Sequence, residues 1–157
     1  MKAMIKFKVV NPKISAERIE EFHIRNGITI PDDYKEFLLR TNGGVPANYH
    51  ILEFVHNTKG KEQVTLQELF GIEVHSSKMI TFDIDEIKEI TRETLQSEYL
   101  AIGMMVGDHI MAVIRLSGSQ KGHIFLWDDQ LVHNNEKAYH FVASSFEEFL
   151  DLLRQVK

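Results

Sequence analysis

Apolar residues recur at helical spacing near both ends of this chain and at alternate or continuous positions through its middle, and polar caps mark where one pattern gives way to the next. Ser15 to about Asn26 reads as a first helix, with Ser15 as N-cap, Glu17 in the first turn, Ile14 and Ile19 as a hydrophobic staple, and Gly27 just past the end. Ile19 and Phe22 are its core positions, with His23 beside them. Pro31 suits the start of a second helix because it has no amide hydrogen to leave unpaired. Asp32 and Asp33 then meet the positive end of the helix dipole, Tyr34, Phe37, Leu38 and Thr41 share one face, and Asn42-Gly43 supplies a left-handed stop. Asp83 and Glu86 have capping-box spacing, Phe82 and Ile87 have staple spacing, and Ile84, Ile87, Ile90 and Thr91 form one buried stripe. A last helix starts at Ser144 or Ser145, with Glu147 or Glu148 completing the cap and Phe146, Phe149, Leu150 and Leu153 turned inward.

Between these helices the period changes. Tyr49 to Val55 is rich in strand formers and is followed by a turn at Lys59-Gly60-Lys61. Val64 to Ile72 fits alternation and helical spacing equally well and is read as a strand. Tyr99–Ile102, His109–Leu116 and Gly122–Trp127 form three further strands separated by turns at Gly107-Asp108 and Ser117-Gly118-Ser119, and Tyr139–Ala143 forms another after a polar loop through Asn134-Asn135. Links this short permit only antiparallel neighbours, because a parallel pairing needs a crossover of about a dozen residues. Helices before and after an antiparallel meander predict the α+β class. Residues 1–14, in which Ile5, Phe7 and Val9 alternate, form an N-terminal extension or edge strand, and residues 15–157 form one domain.

The length of 157 residues suits one domain with a sizeable core. The absence of cysteine removes disulfides, thiol catalysis and thiolate metal ligands, and suits a reducing cytoplasm. A formal charge of -5 disfavours nucleic acid and anionic membranes as partners and favours basic ones. Lys6 and Lys8 interrupt the apolar opening, so no signal peptide or membrane span is expected.

Catalytic constellations are not evident. The eight histidines include no His-Glu-x-x-His helix and are read as scattered core or surface residues, with His133 and His140 flanking a loop and His50 and His56 in one strand region. No G-x-S-x-G elbow occurs, and Ser117 to Gly122 is read as a hairpin loop and not a phosphate cradle. No catalytic residue, metal or cofactor is therefore expected. Asp128-Asp129 is either a turn or, with Trp127 on the rim of the sheet, a docking point for a basic partner. Glu53 is a second such candidate, unless strand alternation merely turns it to water.

The run from Ile30 to Gly44, with Pro31, Asp33-Tyr34, Phe37-Leu38 and Asn42-Gly43-Gly44, resembles the "LP-x-D-Y-x-x-F-L…N-G-G" opening of the SUKH superfamily of Smi/Knr-type domains. Ala101-Ile102-Gly103, Gly107-Asp108-His109-Ile110 and Gly122 to Asp128 are similar to that superfamily's "I-G…G-D-x-I…G-x-I-Y-x-W-D" strands, and Val142 to Leu150 to its "A-x-S-F-x-E-F-L" ending. The pieces occur in the expected order over Ser15 to Leu153. The resemblance implies the SUKH fold and a non-enzymatic module, an immunity protein that occludes the active surface of a cognate toxin. Toxins countered by this superfamily often act on nucleic acids, and their basic clefts would steer an acidic cover. It also leaves open an intracellular regulatory or scaffold domain, and a small-ligand enzyme stands third.

Overall fold

In the computed structural model, which describes residues 5–74, 81–107, 109–131 and 136–156, local capping chemistry sets the ends of most helices. After β1 (Phe7–Val10), helix α1 (Ala16–Asn26) begins where Ser15 Oγ accepts the Arg18 N–H at 3.3 Å, and it ends at Gly27, whose φ of 64° is left-handed. Helix α2 (Asp32–Arg40) begins directly after Pro31 and buries Tyr34, Phe37 and Leu38. It stops earlier than expected. Thr41 is already extended, and Gly43, at φ 75°, turns the chain into β2 (Gly44–Pro46) and does not cap the helix.

Helix α3 (Ile84–Ile90) is capped by Asp83, whose two carboxylate oxygens accept the Asp85 and Val74 N–H groups. Ile84, Ile87 and Thr91 form its buried stripe, whereas Ile90 is exposed. Each helical residue is rotated about 100° from the next, which carries Ile90 off the face that Thr91 occupies. Helix α4 (Phe146–Leu152) carries the full reciprocal cap. Ser145 Oγ accepts the Glu148 N–H at 3.0 Å, and the Glu148 carboxylate reaches back to the Ser144 hydroxyl and N–H.

The remaining strands are β3 (His50–His56), β4 (Gly60–Leu69), β5 (Tyr99–Met105), β6 (Ile110–Arg115), β7 (Ile124–Asp128), β8 (Tyr139–Ala143) and β9 (Arg154–Gln155). With β1 and β2 they make a nine-stranded antiparallel sheet in the order β1-β2-β4-β5-β6-β7-β8, with β3 branching from β4 and β9 pairing with β3. The segment that fits either period is thus a strand, and it begins at Gly60. Its first half pairs with β3 and its second half with β2 and β5, with the register shifting between Leu66 and Glu68. The consequence is a sheet that bends back on itself. β8 returns beside the end of β3, where side chains, in place of a backbone ladder, bridge the two strands.

The antiparallel register sorts the side chains by face. Ala112, Leu126 and His140 stand opposite one another across β6, β7 and β8, and Met111, Trp127 and Tyr139 do so at the neighbouring positions, on the other face. Strand β7 runs one residue beyond Trp127, so Asp128 is its last residue and Asp129 opens a single 3-10 turn through Leu131. β1 pairs with β2, and Ile5 and Phe7 pack against the core. The side chain of Val9, the Asp108 end of the turn after β5, His133 and the loop at Asn134-Asn135 lie outside the described residues. Among the described residues, no helix is long and apolar enough to cross a membrane.

Candidate functional site

Alternation along β3 turns Leu52, Phe54 and His56 inward, and the same parity on β7 turns Leu126 and Asp128 inward. His140, opposite Leu126, comes from β8. His56, Asp128 and His140 therefore meet inside the protein, at 4 %, 5 % and 0 % exposure, with one potential ligand atom of each lying within 4.8 Å of the others. The two imidazoles lie against each other, their centroids 3.9 Å apart and their planes inclined by 33°, and Phe54 covers both.

Hydrogen bonds fix the tautomer of each ring. Nδ1 of His140 accepts the Asn57 N–H at 3.0 Å, and Nδ1 of His56 accepts the N–H groups of Thr58 and Lys59 at 3.1 and 3.3 Å. A ring nitrogen that accepts N–H groups carries no proton, so in both neutral rings the proton resides on Nε2. His56 Nε2 faces Asp128 Oδ2 at 3.7 Å, and neither Nε2 has a hydrogen-bond partner among the described residues. Asp128 Oδ1 accepts the Gln130 N–H at 3.0 Å, closing the turn that follows β7. Burial, and after it the neighbouring His56, lowers the His140 pKa to about 4, while Asp128 opposes the shift.

Two histidines and a carboxylate invite a metal, but the arrangement is unsuited to one. A ligating imidazole donates its second nitrogen's proton to an acceptor, whereas both second nitrogens here already accept N–H bonds. The cluster is buried and stands apart from the surface groove of about 870 Å³ near α1 and α2, whose walls include Glu20, His23, Lys35 and Lys121. In that groove His23 Nε2 accepts the Ile30 N–H, His23 Nδ1 faces Glu20 at 3.4 Å, and Lys35 pairs with Glu20 at 3.2 Å. The histidine has no nitrogen left to act as a base.

The residues expected to dock a partner are not brought together at one surface. Trp127, 2 % exposed, stacks toward Tyr139 on the inner side of the sheet's aromatic face, and Asp128 is buried with the histidines. Asp129 reaches solvent in part, its pKa raised by burial and by the charge of Asp128 against an opposing pull from His109. Glu53 is on the outer face of β3, as strand alternation allows, and pairs with Arg154 of β9 at 2.7 Å. The meeting of His56 with His140 is not legible in the sequence because it depends on β8 returning to β3. Strand parity alone, however, marks His56 and Asp128 as polar residues on inward positions.

Acidic side chains collect on the helices. α4 offers Glu147, Glu148 and Asp151 without a single basic residue, and Asp32 and Glu36 project from α2 beside it. Asp33 Oδ2 joins the two helices by accepting the Glu147 N–H at 3.0 Å. A model of the SMI1 / KNR4 family (SUKH-1) matches residues 13–152. No curated protein matches the chain.

Proposed function

The chain belongs to the SMI1 / KNR4 family (SUKH-1), and from that membership we propose that it is a non-catalytic protein-binding module, an immunity protein that covers the active surface of a cognate toxin. The observation that carries this reading is the collection of exposed carboxylates on two neighbouring helices, Asp32 and Glu36 on α2 and Glu147 and Glu148 on α4, whose own sequence contains no basic residue. A toxin that cleaves or modifies nucleic acid must hold phosphates with a positive cleft, and a rigid surface of carboxylates offers that cleft a substitute for its substrate. Long-range attraction raises the rate of encounter, and the bulk of the domain then excludes the substrate. Of the residues expected to take part, Glu53 and Asp129 are proposed as contacts, while Trp127 and Asp128, buried on opposite faces of β7, are not proposed as direct contacts.

Co-expression with toxin domains encoded beside this chain tests the reading. Rescue of growth, together with association that weakens steeply as salt is raised, is the expected result. Failure to bind or rescue against every neighbouring toxin, combined with several partners of modest affinity, would favour the scaffold role instead.

A further inference from the structure

The cluster of His56, Asp128 and His140 is buried, polar and incompletely bonded, and it sits where the sheet bends back on itself. Asn57, the residue after His56, is the bridge. Its N–H donates to His140 Nδ1, and its side-chain amide donates to the carbonyls of Tyr139 at 2.7 Å and Lys137 at 3.3 Å. Those contacts stand in for a strand along the free edge of β8. On the other side, the turn from β3 to β4 is folded over His56 by the Thr58 and Lys59 N–H groups and by the Thr58 hydroxyl, 3.2 Å from Nδ1. The three backbone N–H contacts to the two rings each require an unprotonated Nδ1, whereas the Thr58 hydroxyl can donate or accept.

We propose that His56, Asp128 and His140 form a proton-operated latch, which holds the β3–β4 turn against β8 while the His140 imidazole is neutral and releases it when that ring takes up a proton. A second proton on an Nε2-protonated ring can only go to Nδ1. There it would point at the Asn57 N–H, turning an attraction into a repulsion. The new cation is kept near the site by Asp128, so the ring has reason to turn toward the carboxylate and away from the amides. The charged and titratable groups around His140 are His56 on β3, Lys59 in the turn and Asp128 on β7, with Asp129 and His109 beyond Asp128. His56 and Lys59 oppose a charge on His140, and Asp128 favours one. Release leaves the carbonyls of Lys137 and Tyr139 unpaired along the β8 edge, free to accept another strand. This inference does not depend on the immunity reading.

Ring-nitrogen NMR and amide exchange on the intact protein test it together. At pH 7.5 both rings are expected as the Nε2-protonated tautomer, and a proton on either Nδ1 would overturn the proposal. With His140 at 6.5 when free and about 4 when held, linkage makes release roughly tenfold to thirtyfold easier at pH 5 than at pH 8. The amide of Asn57 should lose protection by that factor while remaining less protected than Val113 in the core. Protection that is unchanged, or that is lost only together with Val113, refutes the latch. Asp128→Asn should move the release to lower pH, and an unmoved midpoint in the folded variant excludes Asp128 from it. One equivalent of zinc chloride should leave the ring signals unchanged, whereas replacement of the Nε2 protons by zinc would make this a metal site.

Discussion

Asn42 and Ile72 exchange a pair of hydrogen bonds in the core, the Asn42 side-chain amide donating to the Ile72 carbonyl at 2.8 Å and its oxygen accepting the Ile72 N–H at 2.9 Å. The same amide donates to the Pro12 carbonyl at 3.0 Å, and the Asn42 carbonyl accepts from the Asn11 side chain at 2.7 Å. One side chain thus acts as a short piece of strand between segments that have no ladder of their own. Asn42→Ala strands the buried Ile72 N–H and two carbonyls, so a loss of about 2–3 kcal/mol is expected by urea denaturation. Asn42→Asp should cost more, because it sets a carboxylate against carbonyl oxygens.

Gly43, the next residue, is required for a different reason. Its φ of 75° is left-handed, and a Cβ there would run into the backbone carbonyls of Leu69 and Phe70, which cannot swing aside as a side chain would. Gly43→Ala should therefore destabilise by more than the roughly 1 kcal/mol of a left-handed penalty alone, about 3 kcal/mol in all. Gly27→Ala, with nothing near its Cβ, should show only the smaller conformational cost. The comparison of the two melting temperatures checks the argument.

These two residues also show what was legible in the sequence. Asn42-Gly43 is correctly singled out as special, yet the reason assigned, a helix stop, belongs to local chemistry, and the actual reason lies 30 residues away. Ser15, Asp83 and Ser145 are readable because a cap and its amide are neighbours in the chain. The α+β class is readable from loop length and period. The meeting of Asn57 with His140 joins residues 83 apart and depends on β4 changing partners halfway, which no window of sequence encodes. For the same reason the Asp128-Asp129 pair reads as one feature, although the end of β7 divides it into an inward and a partly exposed residue.

Tyr34 supplies a prediction of the opposite sign. Its ring stacks with Phe37 and meets Phe146 at a tilt, with centroids 6.4 and 4.9 Å away, but its hydroxyl is buried without a partner among the described residues. Burial accordingly pushes its phenol pKa far up. Removing an unsatisfied hydroxyl removes a desolvation cost, so Tyr34→Phe should be neutral or stabilising by up to about 1 kcal/mol. Tyr34→Ala removes the ring as well and should lose about 3–5 kcal/mol. A Tyr34→Phe variant clearly less stable than wild type in thermal denaturation would mean that the hydroxyl has a bonded neighbour.

Surface charge should separate folding from binding. Glu53 and Arg154 are exposed at 67 % and 62 %, and an ion pair in that setting contributes between zero and about 1 kcal/mol. Glu53→Gln should thus leave the denaturation midpoint nearly unchanged. Glu147→Lys with Asp151→Lys, on the outer face of α4, should likewise fold, since neither carboxylate caps the helix. In binding assays against a toxin rescued by the wild type, that pair should weaken association at least tenfold and flatten its salt dependence. Equal affinity of the variant would move the contact away from α4.

Acid should weaken the whole fold through His140, and the direction follows from its shift. The ring is held neutral in the native protein with a pKa of about 4, against 6.5 for a free imidazole. Between these values the unfolded chain binds more protons than the folded one, so stability rises with pH across that window. The contribution is therefore complete above about pH 6.5 and is lost progressively as the pH falls toward 4. At pH 5 the loss should be about 1–2 kcal/mol, the lower figure applying if solvent screens the cluster. His140→Phe places an aromatic ring in the same apolar surroundings beside Phe54 but removes the titrating nitrogen. It gives up the Asn57 bond and should be less stable at pH 8, yet its denaturation midpoint should vary less between pH 6.5 and 5 than that of the wild type. An equally steep decline in both proteins would show that other groups, and not this histidine, govern the acid limb.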